Sequence, residues 1–496
     1  MKFIFRIFPF FCFLLSAVYA EAAGTYAAHS ALASGRWVKI QVAENGVYKL
    51  TDAQLQSMGF SDPSKVSIHG YGGWMLSETL DGSAPDDLPT IPIYRGDGYI
   101  LFYGKGTVKW TYGTADGEAA FVHENNPYAT AGYYFVTDAT ETKTMETRAS
   151  AEGAVRVITT YDDYQVWEKE QVSPHQSGRE LYGESFSINN SRDGFTFNMP
   201  GITSADALVT LRFIAKTTAR TRVELGTTDG TDIISATIAG PSSTNETYVA
   251  GRSVTAVGTW SGAKNEDIDF TVTYGAQNST AAYLDYIRLQ ATRELRQYGD
   301  ATFFRSLAAR EQVSRFVIAD ATASTMVWDI TDGENPVIME GSLSETEYAF
   351  SIGADNRVRE FVALEPNQIT TTPTIIGEVE NQDLHGLEQT DMVIIVPNAF
   401  KSEAERLAEF HRTNDGLKVT VVEPELIYNE FSSGTPDATA YRRLMKMFYD
   451  RGQADGTAPK YLLLFGDGSY DNRGLTAEWS AQTSLLRNML LTYQSQ

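Results

Sequence analysis

One short run near the end of the sequence combines glycines with side chains that could do chemistry. Its members are Gly466, Asp467, Gly468, Ser469 and Asp471, directly after an apolar run. Glycine lets a backbone turn sharply after a strand, and the aspartates would place carboxylates where open parallel sheets bind their ligands. The same residues would equally close the strand as an Asx-type turn, and the sequence leaves both interpretations open. Ser469 does not lie in a Gly-x-Ser-x-Gly pattern, so a serine nucleophile elbow is not predicted.

Residues that serve as nucleophiles or metal ligands are scarce. The chain has one cysteine, Cys12, and six histidines, which are His29, His69, His123, His175, His385 and His411. No histidines pair at metal-ligand spacing, and no phosphate-binding or dinucleotide glycine pattern occurs. We therefore predict no metal site, no cofactor and no disulfide.

Acidic residues, by contrast, are plentiful. Lys and Arg number 40 against 63 Asp and Glu, giving a net charge of −23, which argues against binding to nucleic acid or to an anionic membrane by charge. The pairs Asp86 with Asp87 and Asp162 with Asp163 are expected in solvated loops. Residues 81–87 and 229–232 could bind calcium through oxygen ligands, although neither matches the twelve-residue calcium loop.

The first twenty residues have the three parts of a secretory signal peptide. Lys2 and Arg6 precede an apolar run over residues 7–15, and Ala20 ends a small-residue cleavage site. The run is shorter than the roughly 20 residues that a spanning helix needs. Export is therefore predicted, with Cys12 lost at cleavage and no transmembrane segment in the mature chain.

Elements of the first 380 residues are predicted to be mostly β strands. Alternation over residues 37–42 and 46–50, with Asn45 and Gly46 between them, predicts a hairpin. Thr51 to Met58 is predicted to be a short helix that Thr51 caps. The segment over residues 81–92 is expected to be a loop, and residues 160–180 a surface linker.

Short alternating strands with turn residues between them predict a β-sandwich over residues 180–292. The predicted strands cover residues 194–199, 207–215, 222–225, 233–238, 267–274 and 282–289. Three more are predicted over residues 314–319, 325–330 and 337–339.

The pattern changes at residue 391. Apolar runs over residues 392–397, 417–422 and 461–465 predict buried parallel strands, and residues 401–414 and 438–451 predict the helices between them. Leu407 and Phe410 are expected on the buried face of the first helix. The predicted domains are residues 35–150 (β-rich), 180–292 (sandwich), 300–380 (β-rich, connecting) and 390–496 (α/β), after the signal peptide over 1–20.

The chain resembles the gingipain family of cysteine peptidases, and within it the sortases of type IX secretion. The resemblance runs through the mature chain and rests on residues 35–40, 44–50, 99–104, 123–128, 177–184, 282–287, 327–330, 381–386 and 461–471. It implies a caspase-like α/β domain and an endopeptidase that removes the C-terminal sorting domains of secreted cargo. Cargo and other secretion subunits would be its partners, at the cell surface or outer membrane.

Family members cut with a cysteine nucleophile and a histidine base. Neither can be assigned here, because Cys12 lies in the predicted signal peptide and neither His385 nor His411 occupies the base position. We expect the α/β domain to be incomplete at Gln496 and the chain itself not to hydrolyse peptides. Only the loop from Gly466 to Asp471 carries over from the family. The alternative hypothesis is a non-catalytic surface or secretion-complex protein that binds through its β domains.

Overall fold

The structure is a computed structural model that describes residues 26–217, 219–240, 251–276, 281–480 and 489–493. The predicted signal peptide, with Cys12, lies outside the described residues. Strands dominate and the longer helices lie after residue 400, so the fold class, β-rich domains followed by an α/β part, is confirmed. No helix in the described ranges is long and apolar enough to cross a membrane.

The N-terminal strands are β1 (Trp37–Val42), β2 (Gly46–Thr51), β3 (Ser67–His69), β4 (Thr90–Ile91), β5 (Tyr94–Gly96), β6 (Tyr99–Gly104), β7 (Val108–Ala115), β8 (Glu118–Asn125) and β9 (Gly132–Thr137). The next are β10 (Thr147–Arg148), β11 (Arg156–Ile158), β12 (Thr160–Glu168), β13 (Ser185–Phe186), β14 (Arg192–Asn198), β15 (Ala207–Lys216), β16 (Thr221–Thr227), β17 (Asp232–Ile238), β18 (Arg252–Trp260), β19 (Asp267–Tyr274) and β20 (Ala281–Glu294).

The later strands are β21 (Ala301–Arg305), β22 (Ser314–Ile318), β23 (Met326–Asp329), β24 (Val337–Met339), β25 (Ser342–Ser344), β26 (Glu347–Ile352), β27 (Glu360–Leu364), β28 (Thr374–Val379), β29 (Met392–Ile395), β30 (Val419–Val422) and β31 (Tyr461–Leu464). The helices are α1 (Asp52–Ser57), α2 (Lys401–Asn414), α3 (Pro424–Phe431), α4 (Ala438–Gly452) and α5 (Ala477–Ser480).

Four sheets stack on one another outside the sandwich. Their strand orders are β28-β1-β9-β3-β4, β2-β6-β5, β10-β24-β23-β27-β21 and β11-β22-β26-β25. Apolar clusters fill the three gaps: Ile40 meets Phe102 in the first, and Leu101 meets Trp328 in the second. Phe304 and Phe350 lie in the third. Each inner sheet therefore buries both faces.

The predicted hairpin over residues 37–50 is wrong. β1 pairs with β9 and β28, whereas β2 pairs with β6 in the facing sheet. The connection at Asn45 and Gly46 therefore crosses from one sheet to the next. Alternation reports that a strand has an apolar face, but not whether its neighbour in sequence lies beside it or opposite it. The helix after β2 is confirmed, with Thr51 and Gln54 forming a capping box.

Strands from distant parts of the sequence complete these sheets. β28 pairs with β1, while β10 and β11 pair in parallel with β24 and β22. The predicted linker over residues 160–180 begins instead with β12, which pairs with β20 over nine residues. The sequence of β12 is polar because most of its side chains are only half-buried, and the strand was therefore not predicted.

The β-sandwich is present over the predicted region. Its two sheets have the orders β12-β20-β15-β18, with β13 beside β20, and β14-β19-β16-β17. Phe197, Phe213, Phe270 and Leu284 are among the buried residues between them. The prediction missed β18, whose residues are mostly half-exposed.

The α/β part contains a parallel sheet in the order β30-β29-β31, with α2 and α4 as crossovers, as predicted. Helix α3 was not predicted. Phe410 is 57% exposed and does not share the buried face of α2 with Leu407, contrary to the prediction. β31 was expected to be buried, but Tyr461 and Leu464 are about half exposed, because β31 is at the edge of the sheet that the described strands form.

Candidate functional site

The loop at the end of β31 is held tightly by the segment over residues 489–493. A Cβ atom on Gly468 would lie 2.7 Å from the carbonyl oxygen of Leu490 and from Oγ1 of Thr492. The amide of Leu490 donates to the carbonyl of Asp467, at 3.1 Å. Asn472 exchanges hydrogen bonds with the backbone of Thr492, at 2.8 and 3.0 Å. Gly468 is therefore required by close backbone approach.

The polar side chains of the loop differ in what they can do. Ser469 and Asp471 are buried: Oγ of Ser469 accepts from the amide of Asp471 at 2.9 Å, and Oδ2 of Asp471 accepts from the amide of Thr476 at 2.7 Å. Both shape the turn. Asp467 is exposed, and its Oδ1 accepts from the amide of Gly468 at 2.8 Å. Asp467 therefore presents the loop's accessible carboxylate, and a binding role for the loop stays a prediction.

The loop also contacts the segment that leads into the sandwich. Gly178 lies so close that a Cβ there would be 1.7 Å from the carbonyl oxygen of Tyr470. Arg473, just beyond the loop, pairs with Glu170 at 2.6 Å through a guanidinium that is almost fully buried. The loop is thus held both by residues 170–178 and by residues 489–493, two segments more than 300 residues apart in sequence.

A second set of contacts, which we call the docking seam, joins the α/β part to the N-terminal part. It comprises residues 39, 70–76, 86–87 and 133 on one side and residues 385 and 425–437 on the other. At its centre Ser433 has φ +57°, and its Oγ accepts from the amide of Tyr71 at 2.9 Å and donates to the carbonyl of Tyr133 at 3.0 Å. The left-handed backbone is tolerated because these bonds hold the side chain.

Charged groups are also buried in the docking seam. Lys39 is buried and donates to Glu425 at 3.0 Å and to Asn429 at 3.1 Å. Burial lowers the pKa of Lys39. Asp437 caps α4 by accepting from the amide of Thr439, and its other oxygen accepts from the amide of Leu76 at 3.0 Å. Burial raises the pKa of Asp437 to about 6.

His385 is the most enclosed ionisable group in the docking seam. Its side chain is fully buried, its Nδ1 lies 2.6 Å from Glu430, its Nε2 lies 3.5 Å from Asp86, and its ring stacks on Phe431 at 4.7 Å. Burial favours the neutral ring, but the contacts with Asp86 and Glu430 and the charge of Asp87 outweigh it and raise the pKa of His385 to about 9. The ring of His385 thus lies between carboxylates from both sides of the seam.

The prediction of solvated loops is wrong for Asp162 and Asp163, which lie in β12, whereas Asp86 and Asp87 do lie in a loop but are half-buried. Asp86 accepts from the amide of Ala27 and Asp87 from the amide of Ala31, each at 2.6 Å. Asp163, in β12, pairs with Arg293 at 2.6 Å and Arg305 at 3.2 Å. Such pairs resemble loop residues in sequence because their partners lie far away along the chain.

The predicted site residues are not brought together with a histidine. His385 belongs to the docking seam, while Nδ1 of His411 lies 2.6 Å from its helix neighbour Asp415. Within the described ranges, no group of three or more His, Cys, Asp or Glu side chains is placed to hold a metal ion. Sequence reasoning missed the His385 cluster, for which the adjacent carboxylates Asp86 and Asp87 were the available signal.

Residues 385–496 match peptidase family C25. The chain is similar to dimeric latent PorU from Porphyromonas gingivalis, a crystal structure, with 34% identity and a TM-score of 0.86. The match covers 95% of this chain and 45% of that one, so the chain spans less than half the length of that PorU.

Other solved structures match only weakly. The carbohydrate-binding module CBM36, in complex with calcium and xylotriose, is 14% identical, with 27% of this chain and 99% of that one covered and a TM-score of 0.17. The insecticidal delta-endotoxin Cry8Ea1 from Bacillus thuringiensis is 11% identical, with 51% and 53% covered and a TM-score of 0.19. Scores this low support no conclusion. No curated protein matches the sequence.

Proposed function

We propose that the chain belongs to a sortase-type cysteine endopeptidase of type IX secretion, because residues 385–496 match peptidase family C25 and the chain is similar to PorU. Its reaction would remove the C-terminal sorting domain of secreted cargo, which is then attached to the cell surface. The observation that carries the proposal is the similarity to PorU, which runs through the β-rich parts as well as the α/β part.

Contacts between separate segments of the resemblance support this proposal. Residues 177–184 and 461–471 both resemble the family, and the first packs against the second where Gly178 meets Tyr470. Gly178 and Gly468 each occupy a place where a Cβ would collide with backbone. The family-like residues therefore build one structural feature, the supported loop at the end of β31.

The β-rich parts would hold the cargo while the α/β part cuts it. The docking seam favours this division of labour, because Lys39, His385 and Ser433 make buried polar contacts across it. Such contacts need exact geometry to offset the cost of desolvation, so they fix one orientation between the two parts. A cargo domain bound to the β-rich parts would then meet the peptidase at a constant distance.

The proposed chemistry needs a thiolate, and the only cysteine of the sequence is Cys12. The second candidate is a PorU-like protein that binds cargo or secretion subunits through its β domains without cutting. The two candidates make different predictions for cargo processing.

The test is deletion of the gene in the source organism, followed by mass spectrometry of secreted type IX cargo. We expect the deletion strain to retain sorting domains on its cargo, and the restored gene to remove them. Retention without loss of secretion supports the sortase. Normal removal of sorting domains in the deletion strain would contradict it, and normal removal with reduced secretion would favour the binding protein.

A matched pair of variants tests the loop. Gly468→Ala would push a Cβ to 2.7 Å from the backbone of Leu490, whereas Gly353→Ala meets no atom within 4 Å. In the restored strain we expect Gly468→Ala to slow cargo processing at equal protein level and Gly353→Ala to leave it unchanged. If both variants processed cargo at the same rate, the loop would have no role in the proposed function.

A further inference from the structure

A cleft of about 650 Å³ lies where the β7–β8 hairpin, β12 and β21 meet. We call it the aromatic cleft and define it by Trp74, Lys109, Trp110, Tyr112, Tyr164 and Arg310. Its volume lies within the range of ligand sites, which often form where separate parts of a protein meet. Neither the C25 match nor the loop at β31 includes any of these residues.

Aromatic side chains are concentrated in the aromatic cleft. Seven of its 19 lining residues are aromatic, against 12% of the whole chain, so the surface is enriched about threefold. The ring of Trp110 stacks on Tyr164 with centroids 4.0 Å apart and planes 15° apart. Beneath it the buried guanidinium of Arg305 lies 4.1 Å from the Tyr164 ring. The stack is therefore rigid and formed before any ligand arrives.

The charge of the aromatic cleft is opposite to that of the chain. Four cationic and two acidic side chains line it, a balance of +2 on a protein of net charge −23. The carboxylates are already engaged, because Glu360 and Asp163 pair with Arg305 at 2.6 and 3.2 Å.

Two of the cations are available. Within the described part of the chain, no carboxylate lies at ion-pair distance from Lys109 or Arg310. Instead, Lys109 lies 5.7 Å from the ring of Trp74, and Arg310 lies 5.2 Å from the ring of Tyr112. Both are half-buried. Each cation thus rests on an aromatic ring at the wall of the cleft, in the medium where a charge-assisted bond to an incoming anion is strongest.

We propose that the aromatic cleft binds an extended peptide segment in which a large apolar side chain is flanked by carboxylates. The apolar side chain packs against Trp110 and Tyr112, and the carboxylates pair with Lys109 and Arg310. Tyr, Trp and Arg are the residues that dominate binding energy at peptide and protein interfaces. The volume of the cleft is sufficient for two or three residues of a peptide but not for a folded domain.

This inference does not depend on the proposed peptidase. The cleft is built by residues before 361, so its ligand would bind whether or not the α/β part cuts anything. A failure of peptide binding and a failure of cargo processing are therefore separate results.

The experiment is selection from a phage-displayed library of random twelve-residue peptides on the purified chain. We expect the enriched peptides to share Asp or Glu beside a large apolar residue. A synthetic consensus peptide is then measured by fluorescence anisotropy against the chain and against the double variant Lys109→Glu/Arg310→Glu. We expect the double variant to bind at least tenfold more weakly, and binding to weaken as salt rises.

Lys264→Glu is the matched control, because Nζ of Lys264 also lies over a tryptophan, 5.0 Å from the ring of Trp260 in the sandwich. It should leave the affinity within twofold. Three outcomes would overturn the proposal: no enrichment above background, a basic consensus, or equal affinity for the chain and the double variant. Binding of polygalacturonate that the double variant loses, without any enriched peptide, would reassign the cleft to acidic glycans.

Discussion

Replacing His385 with asparagine should cost stability in a way that depends strongly on pH. In the folded protein the pKa of His385 is raised from 6.5 to about 9, because Glu430 and Asp86 contact a ring that has no exposed surface. A pKa shift of one unit corresponds to about 1.4 kcal/mol. The imidazolium therefore contributes about 3 kcal/mol to the free energy of unfolding when it is fully protonated.

The sign follows from the direction of the shift. The folded state holds the proton more tightly than the unfolded state, so the contribution is fully present below about pH 6 and is lost as the pH rises through 9. By this linkage it is about 2.5 kcal/mol at pH 7, about 1.4 kcal/mol at pH 8 and near zero at pH 10. The variant has no such proton, so the difference between the two proteins should shrink along this curve.

Amide hydrogen exchange over α3 is the suitable measurement, because it reports the local opening of the helix that carries Glu430. Protection factors of residues 424–431, corrected for intrinsic exchange, give the local opening free energy of each protein. Comparing the two proteins at each pH cancels the titration of groups that do not interact with His385. A difference that is the same at pH 6 and pH 9.5 would refute the reasoning, because His385 would then contribute by packing alone.

Three further changes give separate tests. Gly178→Ala should lower the melting temperature by several degrees and speed proteolysis between residues 466 and 476. The reason is that the added Cβ would lie 1.7 Å from the carbonyl oxygen of Tyr470. Gly353→Ala is the control and should change neither result, because its Cβ meets no atom within 4 Å. Asp285→Asn should flatten the fall in melting temperature between pH 5 and 8. Burial and the charge of Glu168 raise the pKa of Asp285 to about 8 although Arg212 lies 2.7 Å away, so the folded protein loses stability as this carboxyl ionises. An unchanged pH profile would contradict this. Lys39→Met should cost about 1–3 kcal/mol in a urea titration, because it leaves the buried Oδ1 of Asn429 without its donor, while Glu425 is 70% exposed and tolerates loss of its partner. Lys39→Ala should cost more, because it also removes the packing of the side chain; equal stability of both variants and the unchanged protein would contradict this.

Local signals in the sequence predicted local structure well. Thr51 and Gln54 specify a helix start by bonds within four residues, and the α/β alternation after residue 391 depends on short crossovers. The sandwich was predictable because its turns recur at short intervals.

Pairing between distant residues could not be predicted. In the sequence Asp163 resembles a loop residue, because its partners Arg293 and Arg305 lie more than 100 residues away. β12 resembles a linker for the same reason, since its partner strand β20 follows more than 100 residues later. For the candidate site, the sequence showed the glycines of the loop at β31. It did not show that Gly468 packs against Leu490 and Thr492. The docking seam, which relates the α/β part to the rest, has no sequence signature other than isolated polar residues.

The pairing of β28 with β1 has a consequence for how the chain reaches its native state. β1 acquires one neighbour at Thr137, but the other, ending at Val379, follows about 240 residues later. At the usual pace of synthesis, about 5–20 residues per second, one edge of β1 waits unpaired for about 10–50 s. A bare strand edge of this kind recruits other strands. Nascent chains of this protein should therefore depend on a chaperone that holds the N-terminal sheet open until β28 arrives.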